Sequence, residues 1–228
     1  MDTGTKEILL SGWLGHVDAS LSKLILEKVK LVSLEDGAMI YGFGQPQDCL
    51  YGILRGSMQM WVTMNEQDPQ FGHVAGPGFW TGETELVTGQ AGVIEMIARG
   101  KTELLSINRK AIDEISEIHS GMWPALTLLA IQNQGLAIGA ADDLRIRNST
   151  KRLAALLLRL SSRRNAYQGV PPLTNIPVSW TELSEAAGLS RSKVGAILAE
   201  FADHGFIRTQ RRNIEIVNAK GIENLLSS

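Results

Sequence analysis

Between Val32 and about Asn108 the apolar residues arrive in short runs, among them Leu50–Leu54, Met58–Val62 and Leu104–Ile107. Glycines at positions 37, 44, 56, 76, 78, 82, 89 and 100 separate them. Runs of this length suit strands, and glycine supplies the positive φ of the tight turns between them. The stretch therefore predicts a small antiparallel barrel or jelly roll, with Asn65–Gln70, which holds Pro69, as a hairpin connection.

Around this stretch the period becomes helical. Leu21, Leu24, Ile25 and Val29 share one face of a helix predicted from about Asp18 to Lys30. Helical spacing returns at Lys110–Ile118 and, after a break at Gly121 and Pro124, continues to about Asp143. Along this last segment Leu126, Leu129, Asn133, Leu136 and Ala140 recur at heptad-like spacing, which predicts a seam against a second copy of the chain. Leu128, Ile131 and Ile138 lie on a neighbouring face and are expected to cover the barrel. Asn148 and Ser149 can cap a further helix carrying Leu153, Leu156, Leu157 and Leu160, so a hinge is expected near Leu144–Asn148. A polar loop, Arg163–Pro177, leads into the final unit.

That unit opens on a capping box. Ser179 is followed three residues later by Glu182, which starts a helix ending at Gly188, and Ser190 caps a second helix of about Arg191–Asp203. Leu183, Ala187, Leu189, Val194, Leu198 and Phe201 supply the core between them. Two helices joined through a glycine at this spacing predict a helix-turn-helix, whose second helix fits the major groove of DNA. Arg191, Ser192 and Lys193 are the exposed donors at its leading end, and Arg191 can fork onto guanine O6 and N7. Beyond Gly205, Phe206–Ile207–Arg208, the tip Gln210–Arg211–Arg212–Asn213 and the run Ile214–Val217 predict a β-hairpin wing. Its arginines are placed to meet phosphates.

The charge distribution agrees. The net charge is only −2, yet residues 1–144 hold 9 Lys+Arg against 18 Asp+Glu, and residues 145–228 hold 13 against 6. An acidic front half repels a polyanion and a basic back half attracts it. A lone cysteine, Cys49, and four scattered histidines give no metal-ligand spacing and no disulfide, so no metal and no cofactor are expected. Glu83 with Glu85, or Asp142 with Asp143, could be read as an acid–base pair, but no nucleophile or phosphate-cradling loop accompanies either, so an enzyme is not expected. No apolar run approaches the roughly 20 residues that span a bilayer, and no basic-then-apolar leader opens the chain, so a cytoplasmic address without membrane contact is expected.

The segments LEDGAMIYGFGQPQDCLYGILRGSMQM, GPGFWTGETELVTGQ and WTELSEAAGLSRSKVGAILAEFADHGFI, with the long helix between them, resemble the Crp/Fnr family of bacterial transcription regulators over nearly the whole chain. The resemblance implies an α+β fold: an N-terminal antiparallel, jelly-roll-like β-roll sensor (1–120), a long dimerisation helix and hinge (121–147), and a C-terminal winged helix-turn-helix (148–228). It implies a homodimer on a two-fold-symmetric operator in double-stranded DNA, with RNA polymerase as a further partner. Ser179, Ser190, Arg191, Ser192, Lys193, Arg211 and Arg212 are the expected DNA-binding residues. Trp80, Gly82, Glu83, Leu86, Gly92, Val93, Ala137 and Ile138 are the expected surroundings of an effector pocket.

Departures from the family pattern bear on that pocket. The cyclic-nucleotide-binding members follow the Gly-Glu pair with Arg-Ser or Arg-Thr, whose arginine meets the cyclic phosphate. Here Gly82 and Glu83 are kept, but Gly92 and Val93 replace the later pair and Glu85 is added. Ala137 and Ile138 replace the Thr-Ser pair that meets the purine. Cyclic AMP in the usual pose is therefore not expected, and the apolar interior is expected to be packed shut or to bind an unidentified effector. The alternative reading is a small-molecule sensor that acts through protein contacts.

Overall fold

A computed structural model describes residues 7–8, 10–63, 68–90, 92–164 and 170–227. After a short 3-10 turn, Trp13–His16, helix α1 (Ala19–Lys28) begins where the Asp18 carboxylate accepts the amides of Ser20 and Leu21. Six strands follow: β1 (Lys30–Leu34), β2 (Met39–Tyr41), β3 (Cys49–Val62), β4 (Gln70–Ala75), β5 (Trp80–Thr81) and β6 (Ile94–Asn108). Their order is β1-β6-β3-β4, with β2 on β6 and β5 on β3, and every pairing is antiparallel.

The two long strands, β3 and β6, shift register on either side of Arg55. Gly56 at this point has φ +82°, and a Cβ there would lie 2.7 Å from the Lys101 carbonyl oxygen. No residue with a side chain fits, and the irregularity bends both strands so that the sheet curls into a roll. The short helix α2 (Glu83–Thr88) separates β5 from β6. Residues 65–67 of the predicted hairpin loop Asn65–Gln70 lie outside the described residues; the strands it would join pair antiparallel, Val62 with Gln70.

Helices α3 (Arg109–Ile118) and α4 (Met122–Arg145) come next. Pro124 sits in the first turn of α4, where its missing N–H costs no hydrogen bond. Asn148 caps α5 (Ser149–Leu160) by accepting the Lys151 amide, as the sequence predicts. Then follow β7 (Asn175–Ile176), α6 (Trp180–Ala187), α7 (Arg191–Asp203), β8 (Ile207–Gln210), β9 (Asn213–Ile216) and α8 (Ala219–Ser227). Strand β7 lies within the predicted loop Arg163–Pro177 and adds a third strand to the wing, in the order β7-β9-β8.

The faces of α4 are the reverse of those expected. Leu126 and Leu129, assigned to a partner-facing seam, are 0% and 2% exposed and pack with Trp13, Leu50 and Ile112 of their own domain. Asn133 turns the same way and donates to the Trp80 carbonyl oxygen at 3.1 Å. Leu136 packs against the roll interior, and Ala140 lines a cavity below it. Conversely Ile131 and Ile138, expected on the barrel, are 44% and 63% exposed, while Leu128 is half-buried. Both faces carry apolar residues at heptad spacing, so periodicity locates two stripes without saying which meets the roll.

The helix-turn-helix is docked on the roll. Phe71 and Val74 of β4 belong to the same core as Leu153, Leu183, Leu198 and Phe201.

Candidate functional site

Two regions gather the predicted site residues. At the first, Ser179 and Glu182 form a reciprocal capping box: the Ser179 amide donates to Glu182 Oε2 at 2.6 Å and the Glu182 amide to Ser179 Oγ at 3.2 Å. Helix α6 ends at Gly188 with φ +58°, and Ser190 Oγ accepts the Lys193 amide at 3.3 Å to start α7. Leu183 and Ala187 of α6 bury against Val194, Leu198 and Phe201 of α7, which turns Arg191, Ser192 and Lys193 outward. Arg211 and Arg212 form the exposed wing tip between β8 and β9, and Arg212 has φ +56°. Among the described residues none of Arg191, Lys193, Arg211 and Arg212 pairs with a carboxylate, unlike Arg208, which meets Glu215 across the wing at 3.2 Å. Ser179 and Ser190 serve as caps, each hydroxyl oxygen accepting a backbone amide.

Sequence reasoning missed Trp180. Its spacing from Leu183 and Ala187 reads as core, yet at the first turn of α6 it is 47% exposed. It lines a groove with Ser179, Thr209, Gln210, Arg211 and Arg212. A Cβ on Gly195 of α7 would approach its ring to 3.0 Å, so the indole bridges the second helix and the wing.

The second region is a cavity of about 590 Å³ between the roll, α2, α4 and α5. Of the two outcomes expected for the interior, packed shut or open to an effector, the packed one is not found: small residues such as Gly72, Gly92, Ala130, Ala137 and Ala140 line the space without filling it. Gly82, Glu83, Gly92, Val93 and Ala137 line it as predicted. Trp80, Leu86 and Ile138 do not. Trp80 packs edge-on against Trp13 with ring centroids 5.5 Å apart, Leu86 is buried in the same cluster, and Ile138 faces outward.

Gly82 caps α2 with φ +99°, and its Cβ would lie 2.4 Å from the Cys49 carbonyl oxygen, so the cassette admits only glycine here. Glu83 is 4% exposed and accepts from Asn133 Nδ2 at 3.0 Å. Burial pushes its carboxyl above the usual carboxylate range, against the Asn133 bond. A Cβ on Gly92 would lie 2.0 Å from Glu85 Oε1, so the Glu85 carboxylate occupies the space where a side chain at position 92 would start.

Sequence reasoning also missed the polar groups on the opposite wall. Tyr41 and Thr81 share a 2.5 Å hydrogen bond. His73 is 3% exposed, its Nδ1 has no partner among the described residues, and burial beside the Arg159 charge holds its pKa at about 3. Arg159 reaches the cavity from α5, donating to Asp143 Oδ2 at 2.8 Å and to the Gly72 carbonyl oxygen at 3.3 Å. No sequence signal marks Arg159, because the helical spacing of Leu156, Leu157 and Leu160 reads as ordinary core. Among the described residues no cluster of three or more His, Cys, Asp or Glu could hold a metal, and no helix is long and apolar enough to cross a membrane.

Comparison with known proteins matches both domains. A model of the cyclic nucleotide-binding domain matches residues 31–119, and one of the Crp-like helix-turn-helix domain matches residues 151–225. The transcriptional regulatory protein btr of Bordetella pertussis is 23% identical over 206 residues, covering 90% of this chain and 84% of that protein. A CRP-like cAMP-activated global transcriptional regulator of Mycobacterium tuberculosis is 23% identical over 209 residues, covering 90% and 91%. Among solved structures, FixK2 from Bradyrhizobium japonicum superposes with a TM-score of 0.69 at 19% identity, over 86% of this chain and 96% of that one. A CRP/FNR-family transcriptional regulator from Thermus thermophilus gives 0.63 at 24% identity, over 87% and 99%. With both domain models matched in order along a chain of this fold, the protein is a transcriptional regulator with a helix-turn-helix DNA-binding domain, and it belongs to the Crp/Fnr family.

Proposed function

We propose that the chain acts as a homodimer on a two-fold-symmetric operator, reading bases with Arg191, Ser192 and Lys193 and holding phosphates with Arg211 and Arg212. The observation that carries this reading is the leading end of α7, where two cations with no carboxylate partner among the described residues stand at the positive end of a helix dipole. A cation is mildly disfavoured there unless a polyanion offsets the cost. Family members place two such helices on half-sites about one helical turn, ~34 Å, apart.

For the dimer surface we favour the outward stripe of α4. Thr127, Ile131, Gln134, Ile138 and Ala141 are all exposed and follow the alternating four-and-three spacing of a coiled-coil seam. The reading includes no cyclic AMP in the family pose, supported by Gly92, which offers no cation to a phosphate, and by the Glu85 carboxylate that stands beside it. RNA polymerase is the further partner that family membership suggests.

Selection of bound sequences from a random duplex pool at about 150 mM salt, where non-specific binding is weak, tests the reading. An inverted repeat is the expected product. The alternative, a sensor that works through protein contacts, predicts no enriched sequence.

A further inference from the structure

We propose that the cavity binds an amphipathic ligand carrying a protonated nitrogen, with the cationic end between Glu83 and Glu85 and the apolar body against Met60, Val62, Ile94 and Leu136. The proposal rests on the reading above that no cyclic phosphate occupies the roll.

Charge decides the class. Two carboxyl groups face the cavity, 4% and 8% exposed, and the cation that also lines it is already matched. Arg159 is 3% exposed and pairs with Asp143, which accepts Arg164 Nε at 3.1 Å on its other oxygen. An anionic ligand would therefore meet two acids and no free positive charge, whereas a protonated amine gives the acids the partner that burial demands. The cost of burying Glu83 is visible in its raised pKa, and a cation beside it would reverse that shift.

A second, independent observation points to the same space. His73 lines the cavity, is kept neutral and has an unpartnered Nδ1, so a polar ligand atom can complete it. The volume of about 590 Å³ suits a small organic molecule rather than a metal or a water cluster. Gly72 on the roll and Arg159 on α5 both line the cavity and bond to each other, so both domains contribute to its wall.

The test uses the full chain. A panel of arylalkylamines, tryptamine among them, is compared by thermal shift and calorimetry with carboxylates of the same skeleton and with cyclic AMP. Duplex selection is run on the same preparation. The expected result is binding by amines alone, weakened about tenfold or more in Glu85→Gln and in Glu83→Gln. The proposal is overturned if carboxylates or cyclic AMP bind as well as the amines, if no amine in the panel binds, or if neither substitution weakens binding. The wild-type comparison stands even where a variant fails to fold. An intact sequence preference alongside absent amine binding removes this proposal alone, while a lost preference removes the operator reading.

Discussion

The guanidinium of Arg99, on a long strand of the roll, closes on the carboxylate of Glu182, which also completes the cap of the first helix of the DNA-binding pair. The same carboxylate accepts from Gln59 Nε2 at 3.0 Å and from the Ser179 amide at 2.6 Å. One side chain, 5% exposed, thus helps to start α6 and fixes that helix to the roll. Glu182→Ala removes the reciprocal half of the capping box, leaves the Ser179 Oγ bond to the residue-182 amide in place and strands Arg99, and is expected to cost roughly 2–4 kcal/mol. Arg99→Ala leaves Gln59 and the Ser179 amide to serve the carboxylate and is expected to cost about 1–2 kcal/mol. Urea denaturation of the two variants checks the ordering, and equal costs would show that the cap carries little of it.

The two faces of α4 separate association from folding. Leu129 is 2% exposed within its own domain, so Leu129→Ala is expected to lower stability by about 2–5 kcal/mol and leave the monomer–dimer equilibrium of the folded protein in place. Ile138 is 63% exposed, so Ile138→Glu should barely alter the stability of the monomer. In a dimer joined along the outward stripe it buries an unpaired carboxylate at the seam and should shift the species towards monomer, as should Ile131→Glu. Sedimentation velocity distinguishes the outcomes, and a dimer unaffected by both glutamates would place the interface elsewhere.

That reversal marks where the sequence stops being readable. The capping signals at Ser179, Ser190 and Asn148 depend on neighbours three residues away, and local pattern located all three helix starts. Which stripe of α4 meets the roll depends on residues some fifty positions distant, such as Trp80 and Glu83, which Asn133 reaches. The cavity was legible only in part. The family pattern pointed to Gly82, Glu83, Gly92, Val93 and Ala137, but Gly72, Ala130 and Ala140 carried no pocket signal, and only the assembled walls show that the space between them is open. The substitutions at 92 and 93 did announce that the cassette is altered, because a motif with a defined chemical task shows its gaps in one dimension.

Two buried groups in the cavity wall set opposite pH trends. His73 titrates near 6.5 when unfolded and at about 3 when folded, so its neutral form favours folding above pH 6.5, and that contribution is lost as pH falls from 6.5 towards about 3. Glu83 is shifted upwards from 4.5, so it favours folding most below 4.5 and loses that contribution as pH rises through its folded value. Measured as differences from wild type, His73→Phe should flatten the acid limb of stability, and Glu83→Gln should gain stability on the neutral side. Parallel curves for wild type and both variants would mean that neither group is buried as described.

Base reading and backbone holding leave different traces on affinity, so the division proposed for the exposed cations can be tested. Arg191 stands at the leading end of α7, where a forked contact to guanine would discriminate one base pair per half-site by about 1–3 kcal/mol. Arg191→Ala should therefore weaken the selected operator by that amount for each half-site while changing binding to random duplex much less. Arg211 and Arg212 sit on a two-residue turn away from the helix, where the proposed role is to hold phosphate. Either wing substitution should weaken all sequences alike and lower the slope of log affinity against log salt by roughly 0.9 for each phosphate that is no longer neutralised. Titrations of operator and random duplex across a salt series measure both quantities. Equal losses on the two duplexes for Arg191→Ala would move that arginine from the bases to the backbone and leave the reading of sequence to Ser192, Lys193 and the groove at Trp180.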